Sequence, residues 1–106
     1  MTSLGELREA LDKIDNEIAE LYEKRMEVCR KVGEYKVKSG KKVFDRQREK
    51  EKLADVMSKV EGDFNKKGIQ ELYQQLMSMS RKLQYSQLGE GSAGTPSVYQ
   101  NRKSGS

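Results

Sequence analysis

Several polar residues stand where helical spacing asks for apolar ones. Leu4, Leu7, Leu11, Ile14, Ile18, Leu21, Val28, Val32 and Tyr35 recur at steps of three and four, and Arg25 occupies the vacant place in that series. Lys36 follows eleven residues later, within about 20° of the same direction on a helix. Glu49 heads a stripe of Leu53, Val56 and Val60, and Ser80 interrupts a stripe of Ile69, Leu72, Tyr73, Leu76, Met79 and Leu83. Gln84 lies one turn beyond Ser80. Buried polar groups are costly unless paired. Polar side chains converging from three helices therefore imply a polar pocket inside a bundle. Arg25 and Lys36 are about 16 Å apart along the helix axis, and long side chains reaching toward each other can grip a compact anion. Arg8 lies about 25 Å from Arg25 on another face, out of reach within one chain but not across a crossed dimer.

Taken singly, each residue has a plainer reading. An arginine in an apolar seam can fix register or snorkel to solvent. Lys36 and Gln84 can be solvated surface, and Glu49 can favour the positive end of its helix dipole. Ser80 can bond back to its own helix. Together these readings weaken, because all the affected stripes must meet in one core.

The elements that must hold them are helices. The chain has 106 residues, 34% hydrophobic and 36% charged, with a single proline and no tryptophan. Helix formers dominate, and that balance suits long helices that bury one stripe and solvate the rest. The first segment, capped by Thr2 or Ser3 and closed by Ser39-Gly40, spans about five heptads and would be about 55 Å long. Gly33 is a weak point in it. A domain of this size is only about 30 Å across, so one chain cannot cover such a helix, and an intertwined homodimer is expected. A second helix opens at Asp45 as N-cap and stops near Glu61-Gly62-Asp63. A third runs from about Lys66 to Gln87. The fold expected is all-α, three helices per chain in an intertwined homodimeric bundle. Residues 1–87 form the domain, and 88–106, rich in glycine and serine, form a disordered tail or linker.

Charge and composition exclude several classes. The net charge is +4, from 21 basic and 17 acidic residues, short of the basic stripe of a nucleic-acid binder. The patch "KVKSGKK" with Arg46 and Arg48 is interrupted by acids and matches no nucleic-acid motif. The single cysteine, Cys29, permits no disulfide framework within the chain and reads as a small packing residue in a reducing compartment. No signal-peptide core or membrane-length apolar run is present, so a cytoplasmic protein is expected. No metal and no cofactor are expected.

The run "LREALDKIDNEIAELYEKRMEVCRKVGEYK" followed by "VFDRQREKEKL" resembles the all-helical (AroQ-type) chorismate mutase family, over about residues 4–86. The resemblance implies an intertwined dimer and an isomerase, an intramolecular transferase that converts chorismate to prephenate in the Phe/Tyr branch of aromatic amino acid biosynthesis. It also implies residue roles. Arg25 binds a substrate carboxylate, Arg8 is lent by the partner subunit to a carboxylate, and Arg48 is a second arginine near the carboxylates. Lys36 contacts a carboxylate and the ether oxygen. Asp45, through its backbone, and Glu49 hold the ring hydroxyl. Ser80 lies on the carboxylate side, and Gln84 donates to the ether oxygen. Lys36, Gln84, Arg25 and Glu49 are the expected catalytic set. The alternative is a non-catalytic helical coiled-coil interaction module, which leaves the convergence of Glu49, Ser80 and Gln84 unexplained.

Overall fold

A computed structural model describes residues 2–91. It consists of three helices, α1 (Leu4–Ser39), α2 (Arg46–Ser58) and α3 (Asp63–Gly91). Among the described residues no helix is long and apolar enough to cross a membrane.

Local chemistry fixes the helix ends. Ser3 caps α1 by accepting from the Glu6 backbone N–H at 3.1 Å, with Glu6 in the first turn beside the positive end of the dipole. Gly40 ends α1 at φ 71°, a left-handed conformation that glycine adopts without steric cost. Asp45 caps α2 by accepting from the Arg48 N–H at 3.0 Å. Helix α2 ends at Ser58, three residues before the expected Glu61. Helix α3 begins at Asp63 rather than near Lys66, because Gly62 at φ 87° turns the chain sharply enough to restart it at once. It also runs through Gly91, four residues past the expected boundary at Gln87. An established helix extends by adding one hydrogen bond per residue. The rest of the expected tail, 92–106, lies outside the described residues.

Helix α3 is central, packing on α1 along one side and on α2 along the other. Its contacts with α1 ascend together, Arg25 with Ser80, Cys29 with Gln84 and Arg30 with Gln87, so these two helices run parallel. The apolar core is small: Val43, Val56, Met77 and Leu83, with Ser80, Gln84 and Ser86 buried beside them. Met77 lies outside the expected stripe, whereas Leu72 and Met79 of that stripe are 51% and 40% exposed. The second half of α3 is covered from two sides and so buries a wider arc than a single stripe.

The seam of α1 remains uncovered within the chain. Leu4, Leu7, Leu11, Ile14, Ile18 and Leu21 are each more than half exposed. The principal extents are 60 × 34 × 17 Å, so the chain is a slab with one bare apolar edge. Between α1 and α3, Ile18, Leu21 and Tyr22 face Ile69, Leu72 and Leu76 across an open groove of about 630 Å³.

Candidate active site

The site forms where α1 and α3 close on each other. Gly33 is the one buried residue of α1. A Cβ at Gly33 would lie 1.8 Å from Gln87 Oε1 and 3.0 Å from Gln84 Cγ. The residue that reads as a weak point in the helix is thus the point of closest approach. Its missing side chain lets Gln84 Nε2 reach the Cys29 carbonyl at 3.0 Å and Gln87 Nε2 reach the Arg30 carbonyl at 2.9 Å. Each carbonyl accepts a side-chain hydrogen bond from the neighbouring helix.

A cavity of about 150 Å³ opens beside this contact, between α1, α3 and the start of α2. Seven of the eight expected site residues line it: Arg25, Lys36, Asp45, Arg48, Glu49, Ser80 and Gln84. Arg8, the eighth, is exposed on the bare end of α1 and takes no part in it. Arg25 Nη1 donates to Ser80 Oγ at 2.9 Å, and Ser80 in turn donates to the Leu76 carbonyl at 2.9 Å. The Arg25 guanidinium also lies 5.6 Å from the Tyr73 ring centroid, a cation–π contact. Lys36 Nζ donates to the Val43 carbonyl at 2.8 Å. Glu49 is ion-paired with Arg81. One oxygen of the Asp45 carboxylate, Oδ1, is committed to its cap.

Arg81 and Lys52 complete the wall, and the apolar period points to neither. Lys52 is paired with Asp55 at 3.2 Å. Arg81 follows Ser80 directly and lies four residues after buried Met77, a spacing that places it at the edge of the buried arc. Cys29, expected as packing, instead stands in the cavity wall, its sulfur 3.1 Å from Ser80 Oγ and 3.6 Å from Arg25 Nη1.

The electrostatic character follows from that lining. Five cationic side chains and two acidic ones line the cavity. Among the described residues Arg25, Lys36 and Arg48 pair with no carboxylate; the acceptors of Arg25 and Lys36 are a hydroxyl, a thiol and a carbonyl. Neutral acceptors hold these groups in place without cancelling their charge. Such a lining is suited to a small anion carrying more than one negative group. Among the described residues no cluster of histidine, cysteine or carboxylates is suited to hold a metal ion.

Comparison with known families gives the same direction. Residues 7–85 match the family model described as chorismate mutase type II. The chain belongs to that family. It is an all-helical chorismate mutase, an isomerase that rearranges chorismate to prephenate, a step of aromatic amino acid biosynthesis. The matched segment begins one residue before Arg8 and ends one residue after Gln84, so all eight expected positions of the mutase lie within it. No individual curated protein and no solved structure matches the chain.

Proposed function

We propose that the cavity at Arg25, Lys36 and Gln84 is the chorismate site, and that it is completed by Arg8 of a second copy of the chain in a homodimer. The observation that carries this reading is a pair of deficits: three cations, Arg25 and Lys36 on α1 and Arg48 on α2, that have no carboxylate partner among the described residues around a cavity, and a bare apolar seam on α1 ending at Leu4–Leu11 beside Arg8. Covering six such half-exposed side chains stabilises an assembly by about 1 kcal/mol each before the cost of association.

The reaction has one substrate. One C–O bond breaks, one C–C bond forms, and no proton is transferred. The protein has two tasks. Arg25, Arg48 and the partner's Arg8 clamp the two carboxylates, with Ser80 beside them, and so hold the ends of the rearranging system together. Glu49 and the Asp45 backbone hold the ring hydroxyl. Lys36 and Gln84 then donate to the ether oxygen as negative charge builds there, where losing one such donor costs about 3–4 kcal/mol of barrier.

The unliganded geometry suits these tasks. The Lys36 ammonium has three hydrogens and spends one on Val43. The Gln84 amide has two and spends one on Cys29. In each case a fixed acceptor aims the donors that remain. Donors already in place need little reorganisation at the transition state, which is how they accelerate rather than merely bind. The product would feed phenylalanine and tyrosine synthesis, and the chain would work in the cytoplasm.

Subunit complementation tests the proposal. Arg8→Ala and Arg25→Ala chains, each inactive alone, are unfolded and refolded together. Half of the dimers are then hybrids, and each hybrid has one site with both arginines, so the mixture should recover about a quarter of wild-type turnover. No recovery from a folded, mixed dimer would show that Arg8 does not act across subunits.

A further inference from the structure

We propose that Arg81 is a positioning residue for substrate recognition: it holds one oxygen of Glu49 and so presents the other to the ring hydroxyl. The proposal rests on the reading of Glu49 as the acceptor of that hydroxyl.

Arg81 stands on α3 next to Ser80, and its Nη1 donates to Glu49 Oε1 on α2. The guanidinium carbon lies 5.2 Å from the centroid of the Phe44 ring, in the segment joining α1 to α2. One arginine thus ties three parts of the chain together at the wall of the cavity. The Arg81 and Glu49 side chains are 31% and 21% exposed, so the pair is screened less than a surface ion pair. Glu49 Oε2 takes no hydrogen bond among the described residues, and Glu49 lines the cavity.

A carboxylate in a cavity lined by cations needs such a tether. A carboxylate turns freely about its last torsion, whereas one held by a single oxygen offers the other in a fixed direction. The same cavity contains Lys36 and Arg48, both without a carboxylate partner among the described residues. An untethered Glu49 would be drawn toward them and would cancel charge needed for the substrate carboxylates. Arg81 satisfies Glu49 first and leaves those cations free. Phe44 beneath the guanidinium keeps Arg81 at that post.

The competing account makes the pair a structural link between α2 and α3. The two accounts differ in what they say about the hydroxyl. The test compares kcat/KM for chorismate with that for an analogue carrying hydrogen in place of the ring hydroxyl. It uses the full chain and its Arg81→Met, Arg81→Lys, Phe44→Leu and Glu49→Ala variants, with melting temperatures in parallel. Wild type should prefer chorismate, and Arg81→Met should reduce that preference about tenfold, the scale of one hydrogen bond to a charged group. Arg81→Lys should restore part of it, since lysine keeps the charge but not the planar fork. Phe44→Leu, at a half-exposed position, should reduce it severalfold and stands in if Arg81→Met does not fold. In the Arg81→Met, Glu49→Ala double variant the preference should equal that of Glu49→Ala alone. If Glu49→Ala removes the preference but Arg81→Met and Phe44→Leu slow both substrates equally, Arg81 is structural and the reading of Glu49 stands. If Glu49→Ala keeps the full preference, the reading of Glu49 and the proposal fall together.

Discussion

The two halves of α1 share one apolar period and differ in what meets it. From Tyr22 to Gly33 the helix lies against α3, with Arg25, Cys29 and Gly33 at the contact, and Lys36 beyond them holds the Val43 carbonyl. From Leu4 to Leu21 the helix carries a full apolar stripe that nothing in the described chain covers. The half that meets α3 holds the polar chemistry and leaves Val28, Val32 and Tyr35 of the seam exposed beside it, while the bare half holds the unbroken hydrophobic stripe. In an ordinary bundle these would be exchanged. The arrangement makes sense if the covered half awaits an anion and the bare half awaits another helix.

The largest effect should come from repairing the pattern in the covered half. Arg25→Leu gives the stripe the residue its period asks for and removes a cation from the cavity. Ser80 keeps its bond to the Leu76 carbonyl, so no buried hydroxyl is stranded. Melting temperature should hold or rise, while kcat/KM falls by about a thousandfold, the scale expected when a substrate carboxylate loses its bidentate partner in a dry site. Thermal melts and a chorismate-consumption assay read both. A variant that unfolds under conditions where wild type is stable would mean that Arg25 holds the fold.

The bare half should fail in the opposite way. Ile14→Asp places a charge in the middle of the exposed stripe, about 17 Å along the helix from Arg25. It touches no cavity residue. If the stripe joins two copies as proposed, Ile14→Asp should yield a monomer in sedimentation, lower helical content, and reduce turnover to a few per cent, because Arg8 would then no longer reach a partner's site. A variant that keeps wild-type mass and rate would separate the apolar stripe from activity altogether.

The sequence showed the covered half better than its packing. Five cavity residues, Arg25, Lys36, Glu49, Ser80 and Gln84, can be picked out because a polar side chain on an apolar stripe is conspicuous whatever surrounds it, whereas Asp45 stands out only as a cap and Arg48 only through the family resemblance. The capping residues Ser3, Asp45 and Gly40 are legible because their bonds are local. Arg81 is not, since its partner Glu49 is thirty-two residues away and only the fold brings them together. Met77 and Met79 point about 200° apart on a helix of about 3.6 residues per turn. Which of the two is buried depends on where α1 and α2 lie, not on the period of α3. Gly33 misleads for a related reason. Propensity counts glycine as a loss to the helix, but its value here lies in the neighbouring helix that it admits.

Gly33→Ala tests that value and should have a smaller effect than either change above. Alanine gains about 1 kcal/mol of helix propensity, and its Cβ must displace the Gln87 amide and press on Gln84 Cγ. The gain and the strain should nearly cancel in stability. The shift of Gln84 away from the Cys29 carbonyl should not cancel, and kcat should fall severalfold to about tenfold. Adding Gln87→Ala removes the closest atom and should recover part of the rate. If the single variant turns over normally, the close approach at Gly33 serves packing and not the placement of Gln84.

The smallest effect belongs to charges whose partners are already supplied. On the outer side of α2, Asp55 accepts from Lys59 at 3.0 Å and from Lys52 at 3.2 Å. The hydrogen bond from Lys59, then that from Lys52, holds its carboxyl below the usual carboxylate range. A carboxyl lowered on folding contributes stability above its unfolded range and loses it as pH falls through the folded value. Asp55→Asn should therefore melt slightly below wild type at neutral pH, and the difference should shrink as pH falls through the folded range of the Asp55 carboxyl. Added salt should shrink even the neutral-pH difference, because the group is solvent-exposed and screened. Turnover should not change, although Lys52 also lines the cavity, since the site depends on cations that have no carboxylate partner and Lys52 is not one of them. A clear change in KM for Asp55→Asn would show instead that releasing Lys52 alters the charge the substrate meets, and that the boundary between paired and unpaired cations does not mark the edge of the site.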